Sequence, residues 1–477
     1  MTFIWLGDTP DLDPALVGGK ARSINRMRSL GLPVPPAFVL STDFCAKVNA
    51  NDGRLTDPIK AHLRAGLDEL EKAASRRLGC DDTPLLISVR SGGAKSMPGM
   101  MDTVLNLGMN ATVEARIAEL TGDTAFAADT HRRFLEQFER VVGAPSTGDP
   151  WSDLVLAAEA VFASWNSPRA RSYRNHHGIG HDGGTAVTVQ SMVFGNLDDN
   201  SGTGVLFSRN PLTGDPAPYG EWLPRGQGED VVSGRFDALH LDELRQQLPS
   251  IHDELLDIST HLEKVCGDAQ DIEFTVERGK LFILQTRSAK RSPQAAVRIA
   301  VTLAEEGIVS KAEAAAMVTD AQIAAATAPH VDPVARKSAT LVASGLPACP
   351  GVATGRVVGD CESAEDLADE GVPVVLARPT TDPDDVAGMV VSAAIITEIG
   401  GSTSHAAVVS RELGTPCVVG CGQGTLDALA GQVVTVDGTN GEVFAGEVPL
   451  AQTDGVERQA ADLLRKWAAE SPLQVAQ

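Results

Sequence analysis

Basic residues are scarce in this 477-residue chain: 40 Lys and Arg stand against 63 Asp and Glu, a formal net charge of −23. That balance removes the usual electrostatic footprint for a nucleic acid or an anionic membrane surface, so a phosphorylated substrate must meet locally placed Lys, Arg or metal. No apolar run reaches membrane-spanning length. The opening MTFIWLGDTPDLD is acidic where a signal peptide carries a basic head. The seven cysteines are odd in number and scattered, which argues against a disulfide framework and suits a reduced, cytoplasmic protein. Cys417 and Cys421 are close in sequence, yet without a second Cys/His pair at ligand spacing they read as small buried side chains. No repeat of about 20 to 50 residues is visible. A chain of this length is expected to hold about two or three domains.

The most informative stretch present is GGSTSHAAVVSREL, Gly400 to Leu413. The apolar run Val390–Thr397 before it reads as a buried strand, broken by two glycines. Thr403 and Ser404 suit a helix N-cap, and Ala406, Val409 and Leu413 recur at helical spacing, which puts His405 in a helix's first turn. The partial positive charge of a helix N-terminus disfavours an imidazolium. His405 is therefore expected to be neutral near pH 7, as a nucleophile must be, with backbone N–H groups ready for a phosphoryl group. The competing reading is a histidine that merely helps to cap a helix.

Earlier in the chain, Gly18-Gly19-Lys20 precedes a helical pattern, where glycines permit close backbone approach and Lys20 adds a point charge; a plain loop is the alternative. In LLISVRSGGAKSMPGMMDTVLNLG, Leu85 to Gly108, Arg90 ends a strand beside Ser91, Gly92 and Gly93, so a guanidinium fork and free N–H groups converge where a polyphosphate fits. Met97 to Met101 form either a lid or core contacts. Residues from about 111 to 173 are helical, with aromatics at core spacing. Ala186, Thr188 and Gln190 alternate with Val187, Val189 and Ser191, as in a half-buried strand. Gln227, Glu229 and Asp230 fall in a turn-rich stretch, either lining a nucleotide pocket or simply solvated.

In DIEFTVERGKLFILQTRS, Asp271 and Glu273 are two apart on a strand, so both carboxylates project from one face and can share a divalent cation; ordinary exposed alternation is the alternative. A three-residue hairpin loop pairs Glu273 with Gln285 and Asp271 with Arg287 on that face, whereas a two-residue turn puts Gln285 and Arg287 on the other. We expect the three-residue loop. An Ala-rich helical connector from Pro293 and the Pro-containing PHVDPVARKSATLV suit a hinge. The tail from about Thr453 reads as an amphipathic helix.

The stretch around His405 resembles the phosphohistidine motif of phosphoenolpyruvate-utilising enzymes, above all the pyruvate phosphate dikinase family, and the Leu85–Gly108 string is similar to that family's nucleotide loop almost residue for residue. The resemblance implies an α+β / α/β multidomain chain: an ATP-grasp nucleotide-binding domain over 1–290 with a helical insert at about 111–180, a helical linker over 291–340, a small swivelling phosphohistidine domain over 341–450, and a C-terminal helix over 451–477. It implies catalytic roles for His405 and Arg90. Nucleotide contacts are implied for Lys20, Arg90, Ser91, Gly92, Ser96, Gln227, Glu229, Asp230, Gln285 and Arg287, and Mg²⁺ ligation for Asp271, Glu273 and Gln285. Thr403 occupies the position modified by the family's regulatory protein, with a plain N-cap hydroxyl as the other reading.

Two departures stand out: Thr397-Glu398-Ile399-Gly400 where the family has an arginine, and Gly234-Arg235-Phe236-Asp237 where it has a basic sequence. The chain also stops where the family's phosphoenolpyruvate/pyruvate-binding barrel of about 250 residues is expected to begin. The expected function is ATP-dependent phosphorylation of His405, with ATP and phosphate giving AMP and pyrophosphate, and transfer to an acceptor or barrel subunit in trans. A kinase of another small molecule, of the phenol or antibiotic type, and a non-catalytic nucleotide sensor are the alternatives, and a homodimer stays open.

Overall fold

The computed structural model describes residues 3–9, 11–95, 97, 100–176, 178–228, 230, 238–451 and 455–470. The fold is mixed α/β and divides into two compact units, Met1–Gly202 with Phe274–Thr286, and Thr203–Glu273 with Arg287–Gln477.

The first unit is built on an antiparallel sheet in the order Ile4–Trp5, Ala37–Leu40, Ala186–Ser191, Ile87–Gly92, Thr103–Leu107. Ala186–Ser191 was expected to be half-buried; it is instead the middle strand of five, and its polar positions are buried too, Thr188 at 0% and Gln190 at 2% exposure. Gln190 is accommodated because its amide donates to the Pro35 carbonyl (3.1 Å). The helices Ala111–Thr121, Thr124–Val142, Pro150–Ser164 and Pro168–His176 follow the predicted helical stretch. Phe126, Phe134 and Phe138, at helical spacing, are core residues.

In the second unit, helices Pro293–Glu305, Lys311–Ala316 and Asp320–Ala326 pack with the terminal helix Val456–Glu470 in one apolar cluster that includes Val297, Ala300, Ile323, Leu464 and Trp467. The connector is thus a packed helical module closed by the tail. Just beyond it, His330–Val331 pairs antiparallel with Leu450–Ala451, so the strands entering and leaving the next domain run side by side.

That domain carries an eight-stranded sheet in the order Leu341–Ser344, Glu442–Ala445, Val433–Asp437, Val352–Val358, Val374–Arg378, Ala394–Thr397, Cys417–Val419, Leu346–Cys349. The two edge strands are consecutive in sequence with only Gly345 between them, so the sheet must curl back on itself. A Cβ at Gly345 would meet the Val419 carbonyl at 2.4 Å, which explains the glycine. Alternation assigns Val375 and Ala377 to one apolar cluster and Val374 and Leu376 to another, so both faces are covered. The buried strand expected over 390–397 is only half that long. Val386–Val391 is helical, Ser392 Oγ donates to the Gly388 carbonyl at the helix end, and the strand is Ala394–Thr397.

Arg209 ties this unit together. At 2% exposure it donates to Glu263 (Nη2 to Oε1 2.7 Å) and Glu306 (Nη2 to Oε2 2.6 Å), joining the Pro249–Cys266 helix to the end of Pro293–Glu305. Arg209→Met leaves Glu263 buried without its partner, and chemical denaturation is expected to show a loss of about 3–5 kcal/mol from this unit; a change within about 1 kcal/mol contradicts the assignment.

Candidate functional site

In the first unit, the two glycine motifs singled out in the sequence meet. Helix Pro14–Ser29 is interrupted at Gly18, whose φ of 79° lies in the left-handed region. A Cβ there would lie 2.3 Å from the Gly92 carbonyl oxygen. Gly19 N–H donates to Gly93 O (3.0 Å), and Gly92 N–H donates to Thr185 Oγ1 (3.0 Å). Lys20 and Arg90 are half-buried and Ser91 is buried around this junction. The Arg90 Nε is buried with no hydrogen-bond partner, and a phosphate oxygen fits such a donor. Met97 and Met100 are buried, as core contacts are. Ser96 and Glu229 lie outside the described residues, as do Gly234–Asp237. Gln285 is half-buried on the strand Lys280–Ser288.

In the second unit, Gln227 and Asp230 close a buried turn on each other: Gln227 N–H donates to Asp230 Oδ2 (2.9 Å), and Asp230 N–H to Gln227 O (2.7 Å). The hairpin strands are Gln270–Glu277 and Lys280–Ser288, so the turn has two residues and the expected three-residue loop is wrong. Arg278 and Gly279 both have positive φ (51° and 70°), the mirror-image turn whose twist matches the strands. Asp271 and Arg287 nevertheless meet, at 2.8 Å from Arg287 Nε to Asp271 Oδ2. Ala289 N–H donates to Ala269 O, one residue off the register that the turn starts, as a single bulge in the longer strand produces.

Asp271 is 3% exposed and its Oδ1 is buried without a partner. Burial raises its pKa, Arg287 opposes that shift, and Glu273 adds repulsion. Glu273 is half-buried two residues along. Among the described residues no group of three or more His, Cys, Asp or Glu is placed to hold a metal. An orphaned carboxylate oxygen and one neighbouring acid fit Mg²⁺, which is held through one or two carboxylates and completed by water and substrate phosphates.

The helix His405–Leu413 begins at the histidine itself. Its N-cap is Ser404, whose Oγ accepts from Ala407 N–H, and Thr403 stands outside that role. His405 Nδ1 lies 3.1 Å from Thr381 Oγ1, and Nε2 is buried without a partner. Its pKa is lowered, as expected, but the largest cause is burial of the ring where the sequence pointed to the helix terminus; the Asp382 and Asp385 carboxylates oppose the shift.

Glu221, on the strand Tyr219–Pro224, is the residue that sequence reasoning missed. One oxygen accepts from Ser402 Oγ in a very short contact, and the other accepts from Thr403 Oγ1 at 2.6 Å. Below the loop, Arg411 Nη1 donates to Ser402 O (2.9 Å) and Ala348 O (3.1 Å). Lys290 Nζ pairs with Glu412 Oε1 at 2.8 Å. Glu398, in the departure from the family pattern, accepts from Leu426 N–H (3.2 Å), and Ile399 is exposed. Cys417 and Cys421 are buried free thiols whose pKa values burial pushes up to about 12 and about 11, as neutral core residues.

Two measurements check this geometry. Gly18→Ala forces a methyl into the Gly92 carbonyl and is expected to weaken ATP binding about tenfold or more in calorimetry of the folded protein, with unchanged affinity contradicting a role for the junction. In a ring-selective NMR titration, His405 is expected to stay mostly neutral at pH 6.5, the midpoint of an ordinary histidine. A ring at least half protonated there contradicts the buried assignment.

The family described as pyruvate phosphate dikinase, AMP/ATP-binding domain, matches residues 54–247 and 237–307, and the mobile domain of PEP-utilising enzymes matches residues 371–441. The chain is 39% identical to pyruvate, phosphate dikinase of Rhizobium meliloti (strain 1021), over 96% of this chain and 60% of that protein. It is 36% identical to the Clostridium symbiosum enzyme of the same name and 40% identical to pyruvate, phosphate dikinase 2 of Zea mays, in each case over 91% of this chain and 56% of the relative. The chain therefore spans a little over half the length of these relatives. No described helix is long and apolar enough to cross a membrane. By the family match and the residues it covers, this chain belongs to the pyruvate phosphate dikinase family.

Proposed function

We propose that this chain is a phosphotransferase that uses ATP and Mg²⁺ to phosphorylate its own His405 and passes the phosphoryl group to an acceptor in trans. The observation that carries the reading is the His405 ring: neutral by burial, oriented at Nδ1 by Thr381, and with Nε2 unpartnered. When Nδ1 carries the proton and donates it to Thr381 Oγ1, Nε2 holds the lone pair a nucleophile needs.

In the dikinase reaction that family membership suggests, the ring nitrogen attacks the β-phosphorus of ATP and the bond to the α-phosphate oxygen breaks, releasing AMP. Inorganic phosphate then attacks the γ-phosphorus, pyrophosphate leaves, and one phosphoryl group remains on the histidine. Residues 1–290 serve as an ATP-grasp nucleotide domain and residues 341–450 as a swivelling carrier. Lys20, Arg90, Ser91 and Gly92 contact the nucleotide phosphates in this reading, and further nucleotide contacts are assigned by the family resemblance to Ser96, Gln227, Glu229, Asp230 and Gln285. Asp271 and Glu273, with Gln285, would hold Mg²⁺, which supplies charge neutralisation on the phosphates. Arg287, paired with Asp271, would be a further phosphate contact. The receiving station is a phosphoenolpyruvate/pyruvate-binding barrel or another acceptor. Phosphorylation of Thr403 would set a dianion against Glu221 and unseat the loop.

The test is incubation with Mg²⁺ and ATP labelled at the β- or γ-phosphate, with and without inorganic phosphate, with His405→Ala as control. Acid-labile β-label on the wild-type chain and none on His405→Ala is the expected result. Label from the γ-position alone contradicts the dikinase reaction, and no label at all contradicts phosphotransfer to the histidine.

A further inference from the structure

Arg411 lies in the histidine helix and is only 3% exposed. Nη1 is engaged by the Ser402 and Ala348 carbonyls, whereas Nε and Nη2 are buried and without hydrogen-bond partners. No carboxylate therefore hydrogen-bonds this guanidinium, and a buried cation so placed depends on charge further off. Its central carbon stands 5.9 Å from the centre of the Phe207 ring. Phe207 ends the strand Gly202–Phe207, which neighbours the strand bearing Asp271, and the next residue, Ser208, donates its N–H to Gln270 O. Arg411 thus stands over a ring carried by the strand next to the one that bears Asp271.

Asp271 is the complementary case, a buried carboxylate with one unpartnered oxygen. Burial draws Arg411 below the usual arginine range, and the negative charge of Asp271 is among the influences resisting it. Burial likewise raises Asp271, against Arg287 first and Arg411 more weakly.

We propose that Arg411 is a positioning residue that couples the seat of the histidine helix to the charge at Asp271. With Asp271 ionised and bare, its attraction holds the guanidinium, and through Nη1 the guanidinium holds the Ser402 carbonyl and the histidine loop. A divalent cation shared by Asp271 and Glu273 cancels the charge of the two acids, the attraction on the guanidinium is lost, and the loop and helix loosen. The second half of this inference rests on the reading of Asp271 and Glu273 as metal ligands; the first half does not.

The test is hydrogen–deuterium exchange of peptides covering Ser402–Leu413 in the whole chain, with Mn²⁺ binding followed separately by electron paramagnetic resonance. Asp271→Asn, which removes the charge without any metal, is expected to speed exchange there about tenfold. In the wild type, saturating Mg²⁺ is expected to do the same. Arg411→Lys, which keeps the charge, should retain the Mg²⁺ response, whereas Arg411→Met should exchange fast without metal and respond no further. Wild-type exchange in Asp271→Asn overturns the coupling, as does Mn²⁺ binding with no change in these peptides under Mg²⁺. Fast exchange in Asp271→Asn, together with no Mn²⁺ binding to the wild type, supports the coupling and instead overturns the metal reading.

Discussion

The carboxylate of Glu221 is the constraint on which the histidine loop depends. It takes the hydroxyls of Ser402 and Thr403, one on each oxygen, immediately before the helix that carries His405. Hydrogen bonds to an ionised acceptor are among the stronger ones, about 1.5–3 kcal/mol each. Two of them on adjacent residues fix the direction in which the chain enters the helix. Arg411 braces the same loop from beneath through the Ser402 carbonyl, and Ser404 caps the helix, so three consecutive residues are all hydrogen-bonded.

That seat determines the chemistry available to the ring. A histidine on a solvated loop titrates near its ordinary value and is partly protonated in mildly acidic water. Here burial keeps the ring neutral, Thr381 addresses one nitrogen, and the other is shielded yet unpartnered. A polar atom buried without a partner is a local cost that a folded protein normally avoids. The same condition recurs at Asp271 Oδ1 and Arg90 Nε. Each of these three groups is one that the family resemblance assigns to phosphate, metal or phosphoryl transfer, although other buried atoms, among them Asn106 Oδ1 and Thr188 Oγ1, are also unpartnered and carry no such assignment.

Much of this was legible in the sequence because it is local. Gly-Gly pairs, the strand into Arg90, the two acids at i and i+2, and the cap and spacing around His405 all act within a few residues. What stayed hidden depends on contacts far apart in the chain. Glu221 sits in a strand with no signal of its own, and its partners are about 180 residues away. The hairpin parity failed because a bulge is a one-residue adjustment that no composition marks, and it restored the Asp271–Arg287 pairing despite a two-residue turn. The run before the histidine was read as one strand because apolar β-branched residues also suit a short buried helix, and only Ser392 marks the change. Burial of Thr188 and Gln190 followed from a central place in the sheet, which alternation alone does not reveal.

Everything proposed here turns on phosphoryl transfer from ATP to His405. Its most direct measurement is peptide mass spectrometry, under conditions that preserve phosphoramidates, on the whole chain incubated with ATP, Mg²⁺ and phosphate. A single added phosphoryl group is expected on the peptide containing Ser402–Leu413, located on His405 and lost on acid treatment. An unmodified His405, or a phosphoryl group carried instead by an acid-stable serine or threonine, would contradict it.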